Sequence, residues 1–348
     1  MIEIANQKIG INYKPYIIAE MSGNHNQSLE RALEMVDIAA STGAHALKLQ
    51  TYTADTLTLD IEANEFFIED KNSLWKGESL YNLYKKAYTP WEWHKPIMER
   101  ANELGLACFS TPFDETAVDF LEDLKVPAYK IASFENIHAP LIKKVASTGK
   151  PIIVSTGMAS IAELDELVTI LNDACNNKFI LLKCTSTYPS SPENSNIVTI
   201  PHMRKLFNCE VGLSDHTMGI GASLAAVAKG ATVIEKHFTL SRSDGGVDSA
   251  FSMEPNEMEQ LVLESKRAWL SLGKISYGVS DAEKPSRMLR RSIYISKDVQ
   301  KGEVFSKNNI RIIRPGLGLP PKYFDIILGR RAKKKLAKGT PLSWNIIV

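Results

Sequence analysis

Cysteine is scarce and spaced for no chemistry of its own: Cys108, Cys175, Cys184 and Cys209 form no C-x-x-C pair, which argues against a zinc knot and leaves no disulfide framework. They are expected to be reduced, buried fillers. Long apolar runs are missing as well. Nothing approaches the roughly 18 apolar residues of a membrane span, and the opening "MIEIANQKIG" has neither the basic leader nor the apolar core of a secretory signal. A cytoplasmic location without a membrane partner is therefore expected. No G-x-G-x-x-G follows the first apolar run, which weakens a dinucleotide-binding reading. Net charge is nearly absent too, at +1 for 348 residues, but it is unevenly spread. Residues 284–348 hold 16 Lys and Arg against Asp298, Glu303 and Asp325, a balance of +13 that leaves −12 for residues 1–283. A basic tail on an acidic body suits nucleic acid, an acidic protein surface or an anionic substrate. Apolar alternation and Gly-Pro turns within the tail favour a compact module over a free arm.

A content of 44% hydrophobic and 23% charged residues is that of an ordinary folded chain. Eight short apolar runs recur along it: 16–21, 46–51, 106–111, 128–133, 151–156, 179–185, 209–215 and 232–239. Helical periodicity lies between them. Leu29, Leu33, Val36 and Ala40 recur at helical spacing, and "SIAE" at 160–163 is a capping box opening a run that presents Leu164, Leu167 and Leu171. Continuously apolar strands separated by helices predict a parallel sheet covered on both faces, and eight such units predict a (β/α)8 TIM barrel. Beyond it, Lys-Gly-Glu and Lys-Gly-Thr turns punctuate β-like runs. The expected organisation is a catalytic barrel over residues 1–275, a linker over 276–287 and a small β-rich domain over 288–348.

Active sites of such barrels gather at the C-terminal strand ends. Glu20, Lys48, Thr111, Lys130, Ser133, Ser155, Lys183, Ser214, His216 and His237 all fall at or near those ends. Lys48 and Lys130 arise inside apolar strands, where an unpaired ammonium is costly, so an anion such as phosphate is expected beside them. Ser133, Ser155 and Ser214, with the backbone amides of "STG" at 155–157, would add donors. His216 and His237 offer neutral nitrogen ligands on neighbouring strands, leaving room around a divalent ion for substrate oxygen and water. Glu20 is the carboxylate available for proton transfer.

The ordered series "AEMSGNHNQ", "LKLQT", "FSTPFD", "YKIAS", "STGM", "CTSTYP", "LSDHT" and "EKHFT" resembles the sialic acid synthase family, whose members join phosphoenolpyruvate to an amino sugar. The tail resembles the family's antifreeze-like SAF domain. The resemblance implies His216 and His237 as ligands of a divalent cation (Mn2+, Mg2+ or Co2+), Glu20 and His237 in catalysis, and Lys48, Thr111, Lys130, Ser133, Ser155 and Ser214 at phosphoenolpyruvate. It further implies Glu135, Ser186, Tyr188 and Asp248 at the sugar, and Arg314 reaching the substrate from the partner subunit of a domain-swapped homodimer. Ser186 replaces the family's Asn in its motif, and "LWKGESLYNLY" at 74–84 departs from the family's pattern. "AYTPWEWHKPI" at 87–97 is similar to the pseudaminic acid synthases within the family, which implies 2,4-diacetamido-2,4,6-trideoxy-L-altrose as the sugar. The alternatives are a sialic or legionaminic acid synthase, a metal-dependent sugar isomerase or epimerase, and a non-catalytic carbohydrate- or nucleic-acid-binding protein. The resemblance favours an enzyme without a nucleic-acid partner.

Overall fold

The computed structural model describes residues 2–69, 74–174 and 178–348, so Cys175 lies outside the described residues. The chain divides into two compact units, Met1–Gly273 and Lys274–Val348. The first opens with an antiparallel hairpin, β1 (Ile2–Ile4) and β2 (Gln7–Ile9), whose Ile2, Ile4 and Ile9 are buried in the main core. Eight strands follow: β3 (Tyr16–Glu20), β4 (Ala46–Thr51), β5 (Ala107–Pro112), β6 (Tyr129–Ile131), β7 (Ile152–Ser155), β8 (Phe179–Cys184), β9 (Glu210–Ser214) and β10 (Val233–His237). Each occupies one of the eight apolar runs. All pair in parallel with their neighbours, and β10 pairs with both β9 and β3, closing the sheet into the expected barrel. Because helices cover the outside and side chains fill the inside, the strands are buried almost throughout, which is why their sequences do not alternate polar with apolar.

The helix Leu29–Ser41 is capped by the Ser28 hydroxyl, which accepts from the Arg31 amide at 3.2 Å. Its buried stripe is Ala32, Met35, Val36 and Ala39, with Leu29, Leu33 and Ala40 at the edges. Small residues thus let the helix lie close to the sheet, and the larger leucines fill the flanks. The helix Ile161–Asp173 begins at the expected Ser160/Glu163 capping box and buries Leu164, Leu167 and Leu171. Trp91 and Trp93, at the start of the helix Trp91–Glu103, serve packing: Trp91 stacks on Phe120 with ring centroids 4.7 Å apart, and Trp93 lies edge-on to His25. The segment between β4 and that helix is long, and its described residues include the short α-helices Ala54–Leu57 and Leu80–Ala87.

The second unit has a separate core that includes Ile293, Ile295, Val299, Phe305 and Ile310. It is built on an antiparallel pair, β11 (Ser292–Ile295) and β12 (Ile310–Ile313), extended by isolated bridges such as Val299 with Leu336. It is the small β-rich domain expected after the barrel. Arg314 follows β12 and is exposed.

Candidate active site

Alternation along parallel strands decides which side chains meet inside the barrel. On β10, Glu235 and His237 face inward and Lys236 outward. On β9 and its exit, Ser214 and His216 face inward and Asp215 outward. Lys48 of β4, Lys130 of β6 and Glu20 of β3 complete the inner set, and all five strands open into one cavity of about 290 Å3.

Its floor is a quartet of buried charges. Lys48 Nζ lies 2.5 Å from Glu20 Oε2 and 3.9 Å from Glu235 Oε1, and Lys130 Nζ lies 3.5 Å from the same Glu235 oxygen. The lysines are therefore paired inside the chain, contrary to the expectation that they stand unpaired until an anion arrives. Period-two reading of "VIEKHF" places Glu235 on the face of His237, yet it was missed as a site residue. Lys130 also donates to Ser155 Oγ at 2.7 Å and Lys48 to Thr111 Oγ1 at 3.2 Å, while Ser214 Oγ donates to Glu235 at 3.2 Å. Burial pushes the Glu20 carboxyl up to about 7, with Lys48 pulling the other way. At Glu235 burial also raises the carboxyl, but Lys130 and Lys48 outweigh it and hold the group below its ordinary value. Burial lowers Lys130, whereas for Lys48 the two glutamates more than offset burial.

Other expected donors are already engaged. The Thr156 amide donates to Leu182 O at 2.9 Å and the Gly157 amide to Ser133 Oγ at 3.1 Å, so the "STG" amides shape the loop instead of offering themselves to a ligand. A Cβ at Gly157 would overlap the hydroxyls of Ser133 and Ser186, which is why glycine sits there. Ser186 Oγ lies 3.9 Å from Cys184 Sγ. Cys184 itself lines the cavity, so it is more than a filler. Lys183, by contrast, points out of the barrel, donating to Cys184 O at 2.9 Å.

The two histidines stand on the cavity wall with ring centroids 5.5 Å apart. His216 Nδ1 donates to Thr185 O at 2.9 Å, so Nε2 carries the lone pair when the ring is neutral. Burial lowers this imidazole, but the Cys184 thiol and the Thr185 carbonyl outweigh it and hold the group above its ordinary value. Burial, with His216 and both lysines nearby, pushes His237 well below the usual imidazole range, so this ring is neutral at pH 7. Its Nδ1 is buried without a hydrogen-bond partner. Two imidazoles in a polar cavity, His237 neutral and His216 able to offer Nε2 on giving up its proton, fit a divalent cation that takes its remaining ligands from substrate and water. No group of three or more His, Cys, Asp or Glu poised for a metal occurs among the described residues.

Above the histidines, Tyr188 packs on His216 with ring centroids 4.4 Å apart, and Asp248 Oδ2 lies 3.7 Å from His237 Nδ1 and accepts from Ser22 Oγ. Gln50 Nε2 donates to Glu20 Oε1 at 2.9 Å and to Ser22 Oγ at 3.3 Å, linking the floor to Asp248; neither Gln50 nor Ser22 was singled out from the sequence. Glu135, on the turn after β6, lines the same cavity, and burial raises its carboxyl to about 7. Thus Glu20, Lys48, Thr111, Lys130, Ser133, Glu135, Ser155, Ser186, Tyr188, Ser214, His216, His237 and Asp248 all lie in or against one cavity, and Arg314 belongs to the other unit.

Comparison with known proteins places the chain in a family. The NeuB family model matches residues 35–277 and the SAF domain model residues 290–348. The chain is 44% identical to the pseudaminic acid synthase of Campylobacter jejuni subsp. jejuni serotype O:2, over 94% of this chain and 95% of that protein. It is 43% identical to the pseudaminic acid synthase of Helicobacter pylori, over 94% and 96%. The crystal structure of the N-acetylneuraminic acid synthetase of Leptospira borgpetersenii serovar Hardjo-bovis, in complex with citrate, superimposes with a TM-score of 0.73 at 33% identity, covering 82% of this chain and 94% of that one. The chain belongs to the NeuB family and carries a SAF domain after its barrel in sequence.

Proposed function

We propose that the chain is an enzyme that condenses phosphoenolpyruvate with 2,4-diacetamido-2,4,6-trideoxy-L-altrose, giving pseudaminic acid and phosphate. The observation that carries this reading is the stacking of two functions in one cavity: buried Lys48, Lys130 and Ser155 at the floor, and the paired imidazoles of His216 and His237 on the wall above. A phosphate and carboxylate suit the floor, and an aldehyde oxygen suits the wall. The near full-length likeness to pseudaminic acid synthases selects the sugar.

Lys130, with Ser155 on its ammonium, and Lys48 hold the phosphate and carboxylate of phosphoenolpyruvate. Thr111, Ser133 and Ser214 add hydroxyls around them. His216 and His237 would hold a divalent cation, Mn2+ or Mg2+, which when bound would supply Lewis-acid polarisation of the sugar aldehyde. C3 of phosphoenolpyruvate then attacks the aldehyde carbon, and positive charge develops at C2. Glu20, with a proton affinity tuned near neutrality, takes the proton of the water that adds at C2. Loss of phosphate by C–O cleavage leaves a nine-carbon 2-keto acid. Glu135, Ser186, Tyr188 and Asp248 orient the sugar. In a domain-swapped homodimer, Arg314 reaches the cavity of the partner subunit.

Incubation with phosphoenolpyruvate, Mn2+ and a panel of amino sugars tests the reading through product mass and phosphate release. Phosphate release with the diacetamido trideoxy altrose, above that with N-acetylmannosamine or the legionaminic acid precursor, is the expected result. Preference for either of those sugars, or sugar turnover without phosphoenolpyruvate, would overturn it. No helix among the described residues is long and apolar enough to cross a membrane.

A further inference from the structure

The cavity is polar at its floor and apolar at its outer wall, and one stretch of chain builds most of that wall. Leu57, Ile68, Leu80 and Leu83 all line the cavity and all come from the segment between β4 and the helix Trp91–Glu103. On the helix Leu80–Ala87 the division is by face. Leu80, Leu83, Tyr84 and Ala87 follow the i, i+3, i+4, i+7 spacing and turn to the cavity, whereas Tyr81 and Asn82 bond outward to Asp55 and Glu62 at 3.2 and 3.1 Å. The wall is fixed in place at its rim, where Trp75 Nε1 donates to Val247 O at 2.9 Å, one residue before Asp248. Leu57, Ile68 and Leu80 are only half-buried, so their apolar surface faces the space a ligand would fill. This segment contains the 74–84 stretch where the sequence departs from the family pattern.

Leucine and isoleucine side chains offer a sugar hydroxyl no partner, so a hydroxyl brought there loses its water without replacement. A methyl group gains by the same burial. We propose that Leu57, Ile68, Leu80 and Leu83 form a specificity wall that receives the deoxygenated terminal carbon of the sugar and discriminates against a terminal hydroxymethyl group. The assignment rests on the function proposed above and names the residues that set its sugar preference.

The test uses two sugars identical except at C6, the 2,4-diacetamido-2,4,6-trideoxy altrose and its 6-hydroxy counterpart, with the full-length protein and Mn2+. The wild type should favour the 6-deoxy sugar by about 10- to 100-fold in kcat/KM, the range for a hydroxyl facing an apolar pocket. Leu57→Asn and Leu80→Asn, both at half-exposed positions that tolerate polar groups, should shrink that ratio at least fivefold while leaving the KM for phosphoenolpyruvate unchanged. A wild-type ratio near one, or an undiminished ratio in both variants, would overturn the wall. Condensation with neither sugar would sink the proposed function itself, and the wall with it.

Discussion

Asp215 and Lys236 face each other on the outside of the barrel, directly behind the two histidines, as an ion pair of 3.0 Å that is almost wholly buried. Lys236 Nζ also donates to Thr217 O at 2.6 Å and Gly219 O at 3.0 Å, while Asp215 accepts from the Thr217 amide and hydroxyl and from Ser223 Oγ. Every charge is answered, so the pair fixes the path of the loop that carries His216. Lys236→Met would strand a buried carboxylate and is expected to cost about 3–5 kcal/mol of stability. Adding Asp215→Asn should recover part of that loss. Denaturant titration of the single and double variants checks both; equal stability of wild type and Lys236→Met would refute the account.

The charge quartet makes the lysines separable from the acid in a binding experiment. Lys130→Met should weaken phosphoenolpyruvate by about 2–3 kcal/mol, as expected for a desolvated charge-assisted contact. Lys48→Met should weaken it too, and should also destabilise the chain because Glu20 loses its partner. Glu20→Gln should keep the affinity and lose turnover. Calorimetry with single-turnover kinetics distinguishes these outcomes, and unchanged affinity in both lysine variants would misplace the phosphate.

For the metal, His237→Ala is expected to abolish condensation, and chelation should silence the wild type reversibly. Thermal unfolding should barely respond to chelation, since two protein ligands do not make a structural staple. Full activity after exhaustive chelation would remove the cation from the reading.

Glu135 supplies a stability signature in pH. Burial raises its folded-state carboxyl to about 7, above the ordinary carboxylate range of the unfolded chain. The folded state therefore holds its proton more tightly, and the resulting stability is complete below the unfolded value and lost as pH rises through about 7. Relative to Glu135→Gln, the wild type should lose about 2 kcal/mol between pH 4.5 and pH 8, a figure set below the full shift because the side chain is partly exposed. Parallel stability profiles for the two proteins would contradict the raised carboxyl.

A shared site has a genetic test. Arg314→Ala and Glu20→Gln homodimers are each expected to be inactive, and co-expressed heterodimers should regain activity from the one cavity that has both an intact Glu20 and a partner's Arg314. No recovery in verified heterodimers, or full activity of Arg314→Ala alone, would exclude the arrangement in trans.

The barrel was legible because parallel strands buried on both faces leave an unmistakable apolar rhythm, and the strand ends then pointed to the site. What stayed hidden depends on direction and pairing. Lys183 looks like Lys130 in the sequence, yet one faces outward and the other inward, and only the register separates them. Glu235 was overlooked two residues before His237, although its Oε1 lies within ion-pair distance of both lysines. Asp215 stands next to His216 but serves the opposite face. The apolar wall could not be foreseen, because its residues gather from a segment without barrel periodicity.

The balanced quartet also bears on how fast an anion finds the site. Two ammonium groups cancelled by two carboxylates project little field beyond the cavity floor, and the first 283 residues carry a net −12. With the +13 of residues 284–348 the whole chain carries only +1, so an anion meets little net field of either sign at long range and attraction only at contact. Capture by the barrel should then depend only weakly on dissolved salt, in contrast to an electrostatically steered encounter.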